Sequence, residues 1–201
     1  MGRKASLRRT TETRLPKQTI LVFTEGEVTE PAYIQALKRL EHVRRSTSIR
    51  IEIADDHAVP YPLVERAVRE ASDAEVDAVW CLLDVEAPQR HPRLADAIAL
   101  AGKHEKVHLA FSNPCFEVWV VLHEKDLGAW ASTDDVVSAA QSVNGVSGKH
   151  VEATELIQRR ALAAGRAVSL RERHRKNGSE FPDDNPSTQV DLFLAAVERS
   201  V

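Results

Sequence analysis

Short apolar runs rich in β-branched residues alternate with stretches of helical spacing through residues 19–112, and this rhythm limits the folds open to the chain more than any other feature. TILVFT (19–24), SIRIEIA (48–54), DAVWCLLDV (77–85) and KVHLAFS (106–112) carry the strand signal, the second by alternation and the third by an unbroken apolar centre. Between them PAYIQALKRLEHV (31–43), YPLVERAVREA (61–71) and RLADAIALAGKH (93–104) have helical spacing, the first with Pro31 in its opening turn. Strand-helix alternation implies parallel pairing through helical crossovers, and strands as apolar as 79–83 are the kind buried on both faces. The expectation is an α/β domain over residues 19–127, a parallel sheet of about four strands flanked by helices.

PCFEVWVVLHEKDL (114–127) predicts a further helix, and 133–142, 152–173 and 187–199 predict a helical C-terminal extension, 128–201, packed on the same domain. RKNGSEFPDDNPS (175–187) is the loop before the last helix, with Asn185, Pro186, Ser187 and Thr188 as its turn and cap. Residues 1–18 set Arg3, Lys4, Arg8, Arg9, Arg14 and Lys17 against Glu12 alone, with little to bury, and predict a flexible basic arm or a solvated tail.

At 201 residues, 43% hydrophobic and 28% charged, the chain suits one substantial core. A net charge of −3 predicts no wholesale attraction to nucleic acid, so any contact has to come from local patches. No apolar stretch approaches the ~18 residues of a membrane span and none marks a signal peptide, so a cytoplasmic protein without a membrane is expected. Cys81 and Cys115 lie in apolar runs without CxxC spacing and read as reduced core thiols.

Carboxylates gather at two strand ends. Glu25, Glu27 and Glu30 follow the first strand around Gly26, and Asp84 and Glu86 close the third. In open parallel sheets functional groups collect beyond the carboxyl ends of the strands, so both groups fall on one edge. Asp84 and Glu86 share a face if the backbone stays extended through Val85. An oxygen-only carboxylate set suits Mg²⁺ or Mn²⁺ better than zinc, and a wet acidic loop is the plain alternative. Gly26 is expected to supply a backbone φ that a side chain resists, and Glu30 either joins the site or serves the N-terminus of its helix.

The strings LVFTEGEVTEPAYIQALK, VWCLLDVE, LAFSNPCFEVWVVLH and the distant NPST (185–188) resemble the RloB-like family over about residues 17–198, SNPCFEVWVVLH being the most specific. The resemblance implies a Toprim-like fold, a place in prokaryotic anti-phage defence and a partner ATPase encoded alongside. Matched to the Toprim pattern, Glu25 before Gly26 stands for its glutamate, as general acid/base or ligand, and Asp84 with Glu86 for its DxD pair. The second acid is here a glutamate, one methylene longer. Glu27 and Glu117 are secondary candidates, Glu117 as an added ligand or base that breaks the apolar face of its helix.

Lys149, which the family tends to carry near this position, is a candidate phosphate contact or a solvated lysine. Arg159, Arg160, Arg166, Arg171 and Arg173 crowd the long C-terminal helix with Arg175 and Lys176 and form a candidate nucleic-acid face, or a solvated one. Phe116 and Trp119 read as packing rather than base stacking, and Ser112 and Asn113 as a helix cap or a phosphate site. The eight histidines, His91, His123 and His150 among them, show no HxH or HExxH spacing, and neither GxxxxGK[ST] nor GxGxxG occurs. These features lead to a Mg²⁺- or Mn²⁺-dependent nuclease or nuclease-like effector acting on DNA or RNA. The alternatives are a non-catalytic nucleic-acid-binding or adaptor subunit that regulates the ATPase, and a metal-dependent phosphotransferase acting on mononucleotides.

Overall fold

The computed structural model of the protein describes residues 17–53, 60–147 and 150–198. The basic arm before residue 17 and Lys149 lie outside the described residues. β1 (Gln18–Thr24) leads through α1 (Thr29–Arg39) and α2 (Glu41–Ser46) to β2 (Thr47–Ile53). α3 (Pro60–Glu70) leads to β3 (Ala78–Asp84), and α4 (Leu94–Ala101) to β4 (Val107–Asn113). After α5 (Glu117–Leu122) and α6 (Thr133–Ala140) come a short pair, β5 (Val146–Ser147) and β6 (His150–Val151), then α7 (Ala153–Leu156) and a 3-10 turn over Ile157–Arg159. α8 (Arg160–Lys176), β7 (Ser187–Thr188) and α9 (Val190–Glu198) complete the described chain.

The main sheet runs β2-β1-β3-β4-β7, parallel through its first four strands and antiparallel at β7. Both faces are covered, as the apolar strands require. Ile20, Val22, Trp80 and Leu82 pack with residues of α1, α5, α7, α8 and α9; Leu21, Phe23, Val79, Cys81 and Leu83 pack with residues of α3 and α4. Phe116 and Trp119 are buried in the first of these cores, as packing side chains. Both cysteines are free and buried.

Several expected elements change shape. The helix over 31–43 breaks at Leu40, whose ψ of 133° is extended, into α1 and α2. Leu37 and Val43 are both fully buried, and on one straight helix they would point about 120° apart, so the break lets both face the core. The helix over 114–127 contracts to α5, and the one over 152–173 divides into α7, the 3-10 turn and α8. The final helix begins at Val190 because Ser187 and Thr188, expected as its turn and cap, form β7, from which the Thr188 hydroxyl still accepts from the Val190 N–H at 3.3 Å. There Ser112 and Thr188 hydroxyls lie 3.0 Å apart, and Asp184 accepts from Asn113 Nδ2 at 2.9 Å and from Ser187 Oγ at 2.8 Å. Ser112 and Asn113 therefore fasten the fifth strand and do not cap α5.

The arginines of the C-terminal segment are spent on the fold. Arg159 reaches Glu124 at 3.1 Å, Arg160 reaches Glu198 at 2.7 Å, and Arg166 donates to the Leu122 carbonyl at 2.6 Å. Arg173 donates to the Leu127 carbonyl at 2.9 Å. Arg171 makes a two-pronged pair with Asp191, both contacts at 2.7 Å, and also donates to the Thr188 carbonyl. Guanidinium groups with these partners clamp the fold while keeping part of each side chain exposed; Arg175 and Lys176 are the exposed cations at the end of α8. Asp191 is only 8% exposed, so Arg171→Ala leaves a buried carboxylate unpaired and is expected to cost about 3 kcal/mol in a urea titration. A solvated arginine would leave the unfolding midpoint unchanged.

One buried histidine ties α1 to α5. His123 Nδ1 lies 2.8 Å from the Trp119 carbonyl and Nε2 lies 3.1 Å from the Tyr33 hydroxyl, which makes Nδ1 the protonated nitrogen and Nε2 the acceptor. Burial lowers its pKa to about 4. The unfolded chain therefore binds a proton near pH 6.5 that the folded one refuses, so stability falls as pH drops from about 6.5 towards 4. Denaturation across that range is expected to show about 3 kcal/mol more pH dependence in the native chain than in His123→Gln.

Candidate active site

β1, β3 and β4 end side by side, and five carboxylates come from the segments leaving those ends: Glu25 after β1, Glu30 in the first turn of α1, Asp84 and Glu86 at the end of β3, and Glu117 opening α5. Parallel pairing forces this convergence, because parallel neighbours deliver their carboxyl ends to one edge. Thr24 closes the first turn, its hydroxyl donating to the Gly26 carbonyl at 3.0 Å. Glu30 folds back so that its Oε1 accepts from the Gly26 N–H at 3.0 Å. A Cβ on Gly26 would lie 2.2 Å from Glu30 Oε2. Any side chain at Gly26 would have to displace that carboxylate; no left-handed φ is involved, contrary to the sequence expectation.

Beyond β3 the backbone is fastened to the β4 side, with Val85 N–H donating to the Ser112 and Pro114 carbonyls and Glu86 N–H to Pro114 at 2.8 Å. Glu86 takes φ 67°, so the extended backbone expected to align it with Asp84 ends before it. Its carboxylate instead accepts from the Thr133 hydroxyl at 2.6 Å. Such a φ is uncommon outside glycine and is held here by bonds on both sides of the residue. The loop then returns through His91 N–H to the Val85 carbonyl at 3.1 Å. That closure puts His91 Nε2 2.6 Å from Glu25 Oε1, an ion-pair contact with the ring N–H not aligned on the oxygen. Glu25 Oε2 accepts from the Asp84 N–H at 3.2 Å.

Electrostatics tie the five groups together. Burial is the main reason the Asp84 carboxyl holds its proton well above the usual range, reinforced by the charges of Glu30, Glu25, Glu117 and Glu86. Glu30, 6% exposed, is pushed up to about 7 by burial and by Glu117 and Glu25, against opposing backbone hydrogen bonds. His91 moves up because Glu25 favours its imidazolium. The Cys115 thiol lies against Glu117 and is held protonated by burial and by Asp84 and Glu117. Among the described residues no three His, Cys, Asp or Glu side chains stand ready-made around one ion position.

Of the residues singled out in the sequence, Glu25, Asp84, Glu86 and Glu117 come together, whereas Glu27 is exposed and absent from the charges that bear on Asp84. Glu30, and not Glu27, bears on Asp84, and its carboxylate also bonds to backbone N–H groups at the start of α1. His91 was not a sequence candidate, since it has no spacing motif and reaches Glu25 through a loop.

The folded state keeps a proton on Glu30 between about pH 4.5 and 7 that the unfolded chain releases, so this residue's contribution to stability declines as pH rises through that window. Glu30→Gln keeps an acceptor for the Gly26 N–H and removes the charge. Denaturation in EDTA at pH 8 is expected to find it about 2–3 kcal/mol more stable than the native chain, the difference shrinking towards pH 5.

No curated protein and no solved structure matches the chain. The family model described as RloB-like protein matches residues 20–197, a span that includes all five clustered carboxylates and His91. By that match, which covers most of its length, the chain belongs to the RloB-like protein family.

Proposed function

We propose that this chain is a metal-dependent nuclease, or nuclease-like effector, that hydrolyses phosphodiesters of DNA or RNA. The observation that carries the reading is the gathering of Glu25, Glu30, Asp84, Glu86 and Glu117 at one sheet edge, where burial first, and then their mutual repulsion, raises the proton affinity of Asp84. Such a set is relieved either by protons or by a hard cation; no three of its carboxylates already surround one ion position, and its oxygen-only chemistry suits Mg²⁺ or Mn²⁺ drawn in by members of the set, Glu25 and Asp84 first among them. A divalent ion there supplies positive charge against the charge developing on phosphate. Toprim kinship, an anti-phage setting and a partner ATPase belong to the same proposal, the last consistent with a chain that has no GxxxxGK[ST] string.

Hydrolysis adds water to phosphorus, breaks the bond to the leaving oxygen, removes one proton from the water and gives one to the leaving group. Glu25, at the rim of the set and in contact with His91, is the group suited to receive the first proton. His91 is suited to supply the second, because Glu25 beside it stabilises the imidazolium. Glu25 thus either takes a proton itself or holds His91 in its charged form.

Cleavage of single- and double-stranded DNA and RNA in Mg²⁺, Mn²⁺ or EDTA tests the reading. Metal-dependent cutting is expected to fall at least about 10²-fold in Asp84→Ala and Glu25→Ala, and about 10²-fold in His91→Gln with a changed pH profile. Cutting untouched by Asp84→Ala and Glu25→Ala overturns it, and no cutting by the native chain leaves the non-catalytic adaptor as the better reading.

A further inference from the structure

A cleft of about 150 Å³ opens next to the carboxylates, its walls including Glu86, Arg90, Asn113, Trp130, Asp183 and Asn185. Trp130 is 61% exposed, while Trp80 and Trp119 are 8% and 0%. An indole in water gives up hydrophobic free energy that packing would recover, so its fixed exposure calls for an explanation. The backbone around it is held firmly. Asn185 clamps the next residue from both sides, its Oδ1 accepting from Ala131 N–H at 3.1 Å and its Nδ2 donating to the Ala131 carbonyl at 3.0 Å. Thr133 then joins this loop to the site: its N–H donates to the Ala87 carbonyl at 3.0 Å, its hydroxyl accepts from Ala87 N–H at 3.1 Å and donates to Glu86. The same short chain thus carries Trp130 and holds the Glu86 carboxylate.

The walls also indicate what kind of group the cleft accepts. Glu86 and Asp183 bring negative charge, and Arg90 is paired with Asp183, so a phosphate is disfavoured inside. A neutral planar ring is not. A dry cavity of about 150 Å³ holds a benzene ring, so this more open cleft has the scale of a flat heterocycle. Asn113 Nδ2 donates to the Pro182 carbonyl at 3.0 Å and to Asp184 at 2.9 Å, which fixes the amide and leaves its Oδ1 with no donor among the described residues. That oxygen is an acceptor open to the exocyclic amino group of a base.

We propose that the cleft takes one unpaired nucleobase, stacked on Trp130, and so presents the adjoining phosphodiester to the carboxylate edge. The binding is independent of catalysis, and only its purpose rests on the nuclease reading. A base inside a duplex offers neither a free face nor a free pairing edge, so recognition requires a single strand, a loop or a flipped nucleotide.

The test is binding of labelled DNA and RNA octamers of one sequence, single-stranded and as duplexes, in EDTA at low salt, followed by anisotropy. Intrinsic tryptophan fluorescence, in which Trp130 is the exposed emitter, is read alongside. Single strands are expected to quench the native chain saturably, and Trp130→Ala is expected to weaken them about ten-fold while leaving duplex binding and the melting temperature unchanged. Trp130→Phe keeps a stacking face and is expected to lose less than about three-fold. Comparing the DNA and RNA arms identifies which strand supplies the base. Native-level single-strand binding by Trp130→Ala overturns the proposal, as do equal losses for duplex and single strand, or no binding by the native chain. A ten-fold loss in a chain that cuts nothing keeps the base site and removes the nuclease; cutting that needs Asp84 but ignores Trp130 does the reverse.

Discussion

Parallel pairing of β1, β3 and β4, with apolar residues on both faces, is the constraint on which the other features depend. Strands buried on two sides leave no face for polar groups, and the charge that remains must go to the strand ends. Because the strands are parallel, three carboxyl ends coincide, and acids that are distant in sequence become neighbours. Burial of Glu30 and Asp84 there costs solvation, and that cost, together with mutual repulsion, makes protonation or cation binding favourable.

The C-terminal half supports this edge from outside. β7 extends the sheet beside β4 through the buried polar set of Ser112, Asn113, Asp184, Ser187 and Thr188, whose side chains bond to one another across the two strands. Arg171, bonded to both Asp191 and the Thr188 carbonyl, fastens α8 and α9 to the same strand. Thr133 and Asn185 then position the loops that hold Glu86 and Trp130. The extension therefore shapes the wall of the candidate site, and its arginines serve that wall as clamps.

The four long strands and most helices were legible because burial on two faces and helical periodicity leave strong marks over seven or more residues. β7 was not, since two residues carry no period and NPST resembles a turn. The acids at residues 25, 84 and 86 were legible as strand-end residues and Glu117 as a break in the apolar face of its helix, but the choice of Glu30 over Glu27 was not. That choice depends on which side chain folds under the Gly26 amide, a matter of a few ångströms of space. His91 and Trp130 left no trace for a similar reason, because each reaches its place by loop closure and side-chain clamps.

By itself the sequence determined the α/β class, the parallel order of connections and the edge on which the acids lie, because these follow from local periodicity and from the geometry of crossovers. The tertiary structure alone decided which carboxylates face one another, that Glu86 turns into a left-handed conformation, that the arginines clamp the fold and that an indole stands open beside the acids. Those outcomes depend on distances between segments far apart in the chain, which no local pattern encodes.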